Sequence, residues 1–230
     1  MLEFTLKFII GPLLCYLIGA IPFGYILVKL SGKGDIRKYG SGSIGATNAA
    51  RVLGRWAFFV VFVFDVLKGL AAVLLVFNIV IGNPHFFQAP AAFWDFQKVE
   101  VNLKVMYGIA AIMGHLFPVY LKFRGGKGVA TCVGVFVYLT PFAVGAAFIV
   151  WLVTYISTRY VSFGSVLAGI TFSGSYLLSE WVFWPQEQSL FGADLILLTL
   201  MSLMVSVGVI LTHRSNISRL LKGHESKSQL

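Results

Sequence analysis

The sequence predicts an all-α integral membrane protein of about seven transmembrane helices, with the N-terminus outside and the C-terminus cytoplasmic. Three observations carry this. First, of 230 residues 58% belong to the AVILMFWYC set and only 12% are charged, against roughly 25% charged in a soluble domain. The mean hydropathy is +0.85. Second, apolar runs recur near the ~20 residues that a helix needs to cross the hydrocarbon core. Third, the 18 Lys and Arg outnumber the 9 Asp and Glu and fall into a few short segments. This composition excludes a soluble enzyme, a disordered chain and a disulfide-stapled secreted domain. Cys15 and Cys132 both lie in apolar runs and fit neither a metal site nor a disulfide framework.

The first run, about Phe4 to Leu30, is too long and too evenly apolar for a signal peptide. It is read as a span mildly broken by Pro12 and Pro22. A polar, Gly-rich segment follows at 31–55. The second span is about Trp56 to Ile81 and the third about Val101 to Leu121, ending at the basic, Gly-rich segment 122–128. The 29-residue run from Val129 to Ser157 is interrupted at Thr140-Pro141. Proline cannot continue a helix cleanly and restricts its neighbour, so two short helices are expected in preference to one kinked span. The loop 157–163 leads to a span from about Phe163 to Leu178. A last span, about Ala193 to Thr212, precedes the basic tail 213–230. The whole chain, 1–230, reads as one polytopic domain.

With seven spans, segments 31–55, 122–128, 157–163 and 213–230 share one side. Together with Lys29 they hold 14 of the 18 basic residues. The rule of positive loops places that side in the cytoplasm. A single span over 129–157 would split these clusters across the bilayer. Topology therefore explains the net charge of +9, and a nucleic-acid partner is excluded.

Three of these segments carry the chemistry. Gly40 to Arg51 reads GSGSIGATNAAR. Its GxGxxG match follows a membrane span, not the strand that a dinucleotide fingerprint needs. Glycines and a helix N-terminus still suit an anion, and Ser41, Gly42, Ser43, Asn48 and Arg51 are candidates to hold a phosphate. If a helix begins near Ala46, Asn48, Arg51 and Arg55 share one of its faces. Gly114 to Thr131 reads GHLFPVYLKFRGGKGVAT. Lys127 is followed by Gly128 and not Ser or Thr, so this is no ATP-hydrolysing Walker A loop. Gly125, Gly126, Lys127 and Gly128 opening a helix nevertheless suit a phosphate. His115, just inside the membrane face, is read as a packed residue. His213 to Glu225 reads HRSNISRLLKGHE; His213 and Asn216 share a face, and Glu225 is expected to pair with an arginine. Within the second span, Asp65 and Lys68 would each cost about 2.5–3.5 kcal/mol alone at a helix centre and are read as a structural i,i+3 pair. Glycines, hydroxyls and fixed positive charge from three segments on one face point to one pocket for phosphate-bearing ligands.

These three runs, in this order, resemble the motifs of the bacterial acyl-phosphate:glycerol-3-phosphate acyltransferases, the PlsY family. The Asp65–Lys68–Gly69 pattern and the segment Arg159 to Ser165 are similar too, and the resemblance extends to about Glu225. Ser43 stands where the family usually has Asn, and the loops 82–100 and 179–192 look longer than usual. The resemblance implies a seven-helix enzyme with no cofactor and no metal. Its substrates would be acyl phosphate and glycerol 3-phosphate, drawn from a setting of membrane lipids, with no obligate protein partner. It would move a fatty acyl group to the 1-hydroxyl of glycerol 3-phosphate, giving lysophosphatidic acid and phosphate. It also links the glycine loop to glycerol 3-phosphate; on the residues themselves, His213 and Asn216 are expected to orient the attacking hydroxyl or bind the oxyanion. Ser162 or Ser165 would add a hydroxyl. The proton acceptor is left open between His213 and a substrate phosphate.

Other classes fit less well. A transporter of a phosphate ester would place its site near the midplane, often between repeats, and no repeat is present. The His-x4-Asp acyltransferase pair is absent: Tyr120 stands five after His115, and Ser218 five after His213. The CDP-alcohol transferases need clustered aspartates, and the cytoplasmic segments hold only Asp35.

Overall fold

The computed structural model describes residues 2–76, 96–183 and 196–228, and these are helical throughout apart from turns and loops. The expected outer loops 82–100 and 179–192 lie largely outside them. The chain opens with α1 (Leu2–Thr5), a π-helical stretch Leu6–Ile10 and α2 (Gly11–Ala20). Pro12 sits in the first turn of α2, where a missing N–H costs nothing, so it does not break the run. Pro22 does: the helix stops at Ile21 and resumes as α3 (Phe23–Leu30). After the first polar segment come α4 (Ala46–Leu53) and α5 (Arg55–Ala71), the latter extended by a π-helical stretch Ala72–Val76. The remaining helices are α6 (Phe96–Leu116), α7 (Val129–Leu139), α8 (Pro141–Thr158), α9 (Val161–Phe183), α10 (Ile196–Thr212) and α11 (Arg214–Leu221).

Among the described residues, five helical segments are long and apolar enough to cross a membrane: Leu6–Leu30, Arg55–Leu74, Asn102–Leu121, Pro141–Thr158 and Val161–Ser179. Counting α10 with α11, bent by 55°, gives up to six. With the shorter apolar helix α7 these make the seven apolar segments expected from the sequence. The break at Thr140-Pro141 is present, but α8 is a full span and only α7 is short. Its 11 residues rise about 16 Å at 1.5 Å each, half the ~30 Å core. The 129–158 run still goes out and returns, which keeps the basic segments together. Large side chains such as Phe59 and Ile149, 60% and 62% exposed, would be untenable as a water-facing surface in such number and form the lipid-facing perimeter.

Helices in lipid gain little from apolar burial and approach closely where side chains are small. A methyl on Gly19 would overlap the Ala111 backbone, one on Gly114 the Tyr16 carbonyl, and one on Gly134 the Val66 carbonyl. These glycines join α2 to α6 and α5 to α7. Between α9 and α10, Ser173 Oγ lies 2.6 Å from Ser206 Oγ, and Ser206 donates to the Gly169 carbonyl. A central cluster of Val73, Val105, Val135, Phe136, Phe172, Tyr176 and Met201 packs these pairs into one bundle. The four basic segments close one end of it.

Candidate functional site

The first polar segment is folded around one amide. Asn48 Oδ1 accepts the Ser41 N–H at 3.0 Å, while Nδ2 donates to the carbonyls of Tyr39 at 3.0 Å and Ser43 at 2.8 Å. Asn48 is 1% exposed. Its polar atoms are thus engaged with the loop backbone, which it organises, while the residue also stands on the cavity wall. Gly42, with φ +70°, forms a turn and is not part of the cavity wall. Helix α4 starts at Ala46 as expected but stops at Leu53, because Gly54 takes φ +94°. Arg55 therefore opens a new helix and does not share the face of Asn48 and Arg51, a correction to the expected triplet.

In the second segment Gly128 adopts φ +80°, open to glycine at little cost, and α7 begins at the next residue. The first helical bond is Cys132 N–H to the Gly128 carbonyl, 2.8 Å. Gly125 and Gly126, expected with Lys127 and Gly128 to cradle a phosphate, are set off from the cavity wall. The Gly126 N–H is engaged with the His115 carbonyl at 3.1 Å, and neither residue reaches the cavity wall; Lys127 and Gly128 do.

The cavity draws on all four segments. Its wall includes Ser41, Ser43, Thr47, Asn48 and Arg51; Lys127 and Gly128; Ser162 and Ser165; His213, Asn216 and Glu225. Its volume is about 120 Å³, small beside the roughly 300–1,000 Å³ of a site that swallows a whole ligand, so it is scaled to polar headgroups. Phe58, Phe62, Trp151 and Val161 give it an apolar side. Three helix N-termini converge here: α4 through Ala46 and Thr47, α7 through Val129 and Ala130, and α9 through Val161 and Ser162. None has an acidic residue in its first turn. Glu225 already faces the start of α9 through Ser162, whereas α4 and α7 have no side-chain cap, and their N-terminal partial positive charge favours an anion. Arg51 and Lys127 add full charges.

A hydrogen-bonded chain fixes the polar side chains. Lys127 Nζ donates to Asn216 Oδ1 at 2.5 Å, and Asn216 Nδ2 donates to Glu225 Oε1 at 2.6 Å. Ser162 Oγ donates to the same oxygen at 2.8 Å, and Arg219 Nε to Oε2 at 2.7 Å. The expected Glu225–arginine pair exists, but the carboxylate is also the hub that joins the second, third and fourth segments. Ser162 is engaged with Glu225, and Ser165 Oγ donates to the Val161 carbonyl at 2.8 Å, so neither is a free hydroxyl. Burial raises the Glu225 pKa, but the hydrogen bonds from Asn216, Arg219 and Ser162 outweigh it and hold it below its usual value. Burial, with Arg219 and Arg51 nearby, lowers Lys127 to about 8 despite the Glu225 charge.

His213 Nδ1 lies 2.9 Å from the Val209 carbonyl. A carbonyl only accepts, so Nδ1 carries the proton and Nε2 keeps its lone pair. Burial first, and then the charge of Lys127, push its pKa down to about 4, so the ring is neutral at pH 7.

Two wall residues were missed as site components. Asp65 and His115 both line the cavity, one read as half of a structural pair and the other as packing. The Asp65–Lys68 pair is present, with Lys68 Nζ 2.7 Å from Asp65 Oδ1. The available signal was the rule that an ionisable residue inside a membrane is a functional hypothesis by default. Among the described residues no group of His, Cys, Asp and Glu could hold a metal ion.

A multi-pass helical membrane protein with a headgroup-sized, anion-seeking cavity at one end defines the class: a membrane protein that handles phosphate-bearing ligands. Comparison with known proteins narrows it. A family model described as glycerol-3-phosphate acyltransferase matches residues 9–223. Glycerol-3-phosphate acyltransferase 2 of Bacillus anthracis is 40% identical over 219 residues, covering 95% of this chain and 98% of the relative. The glycerol-3-phosphate acyltransferase of Thermoanaerobacter pseudethanolicus is 42% identical over 219 residues, 95% of this chain and 94% of its own. Among solved structures, the integral membrane glycerol 3-phosphate acyltransferase PlsY (YgiH) in its glycerol 3-phosphate form superposes with TM-score 0.74 at 31% identity, covering 95% of this chain and 94% of that one. Its lysophosphatidic acid form gives 0.71 at 31% identity, covering 95% and 93%. The chain belongs to the glycerol-3-phosphate acyltransferase family.

Proposed function

We propose that the protein transfers a fatty acyl group from acyl phosphate to the 1-hydroxyl of sn-glycerol 3-phosphate, at the cytoplasmic face of a bacterial inner membrane. The observation that carries the reading is the convergence of two helix N-termini without side-chain caps, those of α4 and α7, with Arg51 and Lys127 on one headgroup-sized cavity. Both substrates present a phosphate, and the acyl chain finds the apolar side of Phe58, Phe62 and Trp151. Relatives that act on glycerol 3-phosphate, one of them solved with it, support the acceptor. The four basic segments at one end support the cytoplasmic face by the rule of positive loops. None of the relatives reported above is a transporter.

Acyl phosphate is a mixed anhydride with an activated carbonyl and a good leaving group. The attacking hydroxyl oxygen bonds to the carbonyl carbon, the oxygen–carbon bond to phosphate breaks, and the hydroxyl proton passes to a base. Positioning and electrostatic stabilisation then supply the catalysis. Ser41, Ser43, Arg51 and the N-terminus of α4 bind one phosphate. Lys127 and the N-terminus of α7 bind the other, that of glycerol 3-phosphate. Asn216, locked by Glu225, orients Lys127. His213 Nε2 faces this chemistry as a hydrogen-bond acceptor, but a pKa near 4 makes it a weak base. A substrate phosphate oxygen is the better proton acceptor, so His213→Gln, measured by initial rates, is expected to lose less than about tenfold, below what a positioned base typically contributes. A hundredfold loss in a folded variant would move the base role to His213.

The function itself is tested with purified protein in lipid, supplied with a long-chain acyl phosphate with and without glycerol 3-phosphate, and separately with acyl-CoA. Phosphate release that needs both acyl phosphate and glycerol 3-phosphate is expected. Release without the acceptor would mean a hydrolase, and acylation from acyl-CoA alone would overturn the donor.

A further inference from the structure

Beneath the glycine loop lies a charged cluster that the reaction above does not use. Asp65, Lys68 and His115 are 2%, 4% and 3% exposed. Lys68 Nζ bonds Asp65 Oδ1 at 2.7 Å and the Ile21 carbonyl at 3.0 Å, at the break that Pro22 makes between α2 and α3. His115 Nδ1 stands 3.6 Å from the same Asp65 oxygen. That is ion-pair range and too long for a hydrogen bond. Three ionisable groups inside a membrane bundle carry a desolvation cost that an apolar trio would avoid. Packing alone does not account for them.

What the cluster touches is the loop. The Gly126 N–H donates to the His115 carbonyl. A methyl on Gly125 would overlap the carbonyls of His115 and Leu116, and one on Gly126 would overlap the His115 ring at Nε2. Both glycines are thus laid directly on His115, and the next two residues, Lys127 and Gly128, are the ones that reach the cavity. We propose that His115, held in place by Asp65 and Lys68, is a positioning residue for the acceptor phosphate. Its ring is the template on which the Gly125–Gly128 loop is folded, and it thereby sets Lys127 and the start of α7. The proposal rests on the reading that this loop holds the phosphate of glycerol 3-phosphate.

The test is steady-state kinetics in lipid, with KM determined separately for glycerol 3-phosphate and for acyl phosphate, on His115→Ala, His115→Gln and Lys127→Ala. Thermal unfolding of each variant is followed in parallel. His115→Ala is expected to raise the glycerol 3-phosphate KM at least tenfold, with the acyl phosphate KM and the saturated kcat within about threefold, the pattern of lost binding of one substrate. His115→Gln, which keeps a planar polar group reaching Gly126, is expected to recover most of that. If His115→Ala leaves the glycerol 3-phosphate KM within twofold, the inference is wrong. It is equally wrong if both KM values and the unfolding midpoint shift together with no recovery in His115→Gln, the behaviour of a general packing role. Lys127→Ala separates the underlying reading: an unchanged glycerol 3-phosphate KM there would remove the loop from that substrate altogether. A raised value with normal His115 variants would overturn only the role of His115.

Discussion

Replacement of Lys127 by alanine is expected to lower kcat/KM about 10- to 150-fold, the equivalent of the about 1.5–3 kcal/mol that a hydrogen bond to a charged group contributes. Lys127 is the only cation that the second segment sends into the cavity wall, and its ammonium is fixed 2.5 Å from Asn216 Oδ1. Activity near that of the unaltered protein, measured by phosphate release at saturating acyl phosphate, would break the pocket as described. The same residue predicts a pH dependence. Its pKa is lowered from 10.5 to about 8, chiefly by burial, so the cation is complete below that value and is lost as pH rises through it. kcat/KM is expected to fall over that interval. In Lys127→Arg the guanidinium stays charged throughout, so this variant, whatever its absolute rate, is expected to lose the fall near pH 8. A wild-type profile flat to pH 9 would contradict it.

The second large effect is expected at Glu225. Its Oε1 accepts from Ser162 and Asn216, and Oε2 from Arg219. Hydrogen bonds to a charged acceptor contribute about 1.5–3 kcal/mol each. Arg219 is 41% exposed, and an exposed pair adds about 1 kcal/mol or less. Glu225→Ala is therefore expected to destabilise the fold by roughly 3–7 kcal/mol. It also frees Asn216 to swing and so releases Lys127, so activity is expected to fall at least a hundredfold even at temperatures where the variant remains folded. Thermal unfolding and initial rates on one preparation check both. The sign with pH follows from the lowered pKa of the carboxyl. A group held below its usual value gives its full stabilisation above the unfolded pKa and loses it as pH falls through the folded one. The unaltered protein should lose stability in acid below the ordinary carboxylate range, and Glu225→Gln should lose less.

Several of these features were legible in the sequence. The turn at Thr140-Pro141 was readable because proline limits backbone geometry locally, and the Asp65–Lys68 pair because i and i+3 face together on a helix. The grouping of Ser41, Arg51, Lys127, Ser162 and His213 was readable from charge sidedness and motif order. Other features were not. Arg55 left the expected face because one glycine, Gly54, ended α4. Asn48 looked like a ligand and is a loop organiser, because its donors and acceptors are taken by backbone groups from Tyr39 to Ser43. Gly125 and Gly126 looked like part of a phosphate cradle, and only the packed structure shows them in close contact with His115.

Local rules explain the division. Hydropathy, proline and charge sidedness act over one span or one loop, so composition and spacing by themselves determined a polytopic helical protein with its phosphate-seeking segments on one face. Which donors remain free for a ligand depends on partners far along the chain. Lys127 meets Asn216 across 89 residues, and Ser162 meets Glu225 across 63. A side chain's hydrogen-bonding capacity is finite, and only the packed tertiary structure decides whether it is spent inside the protein or left facing the cavity.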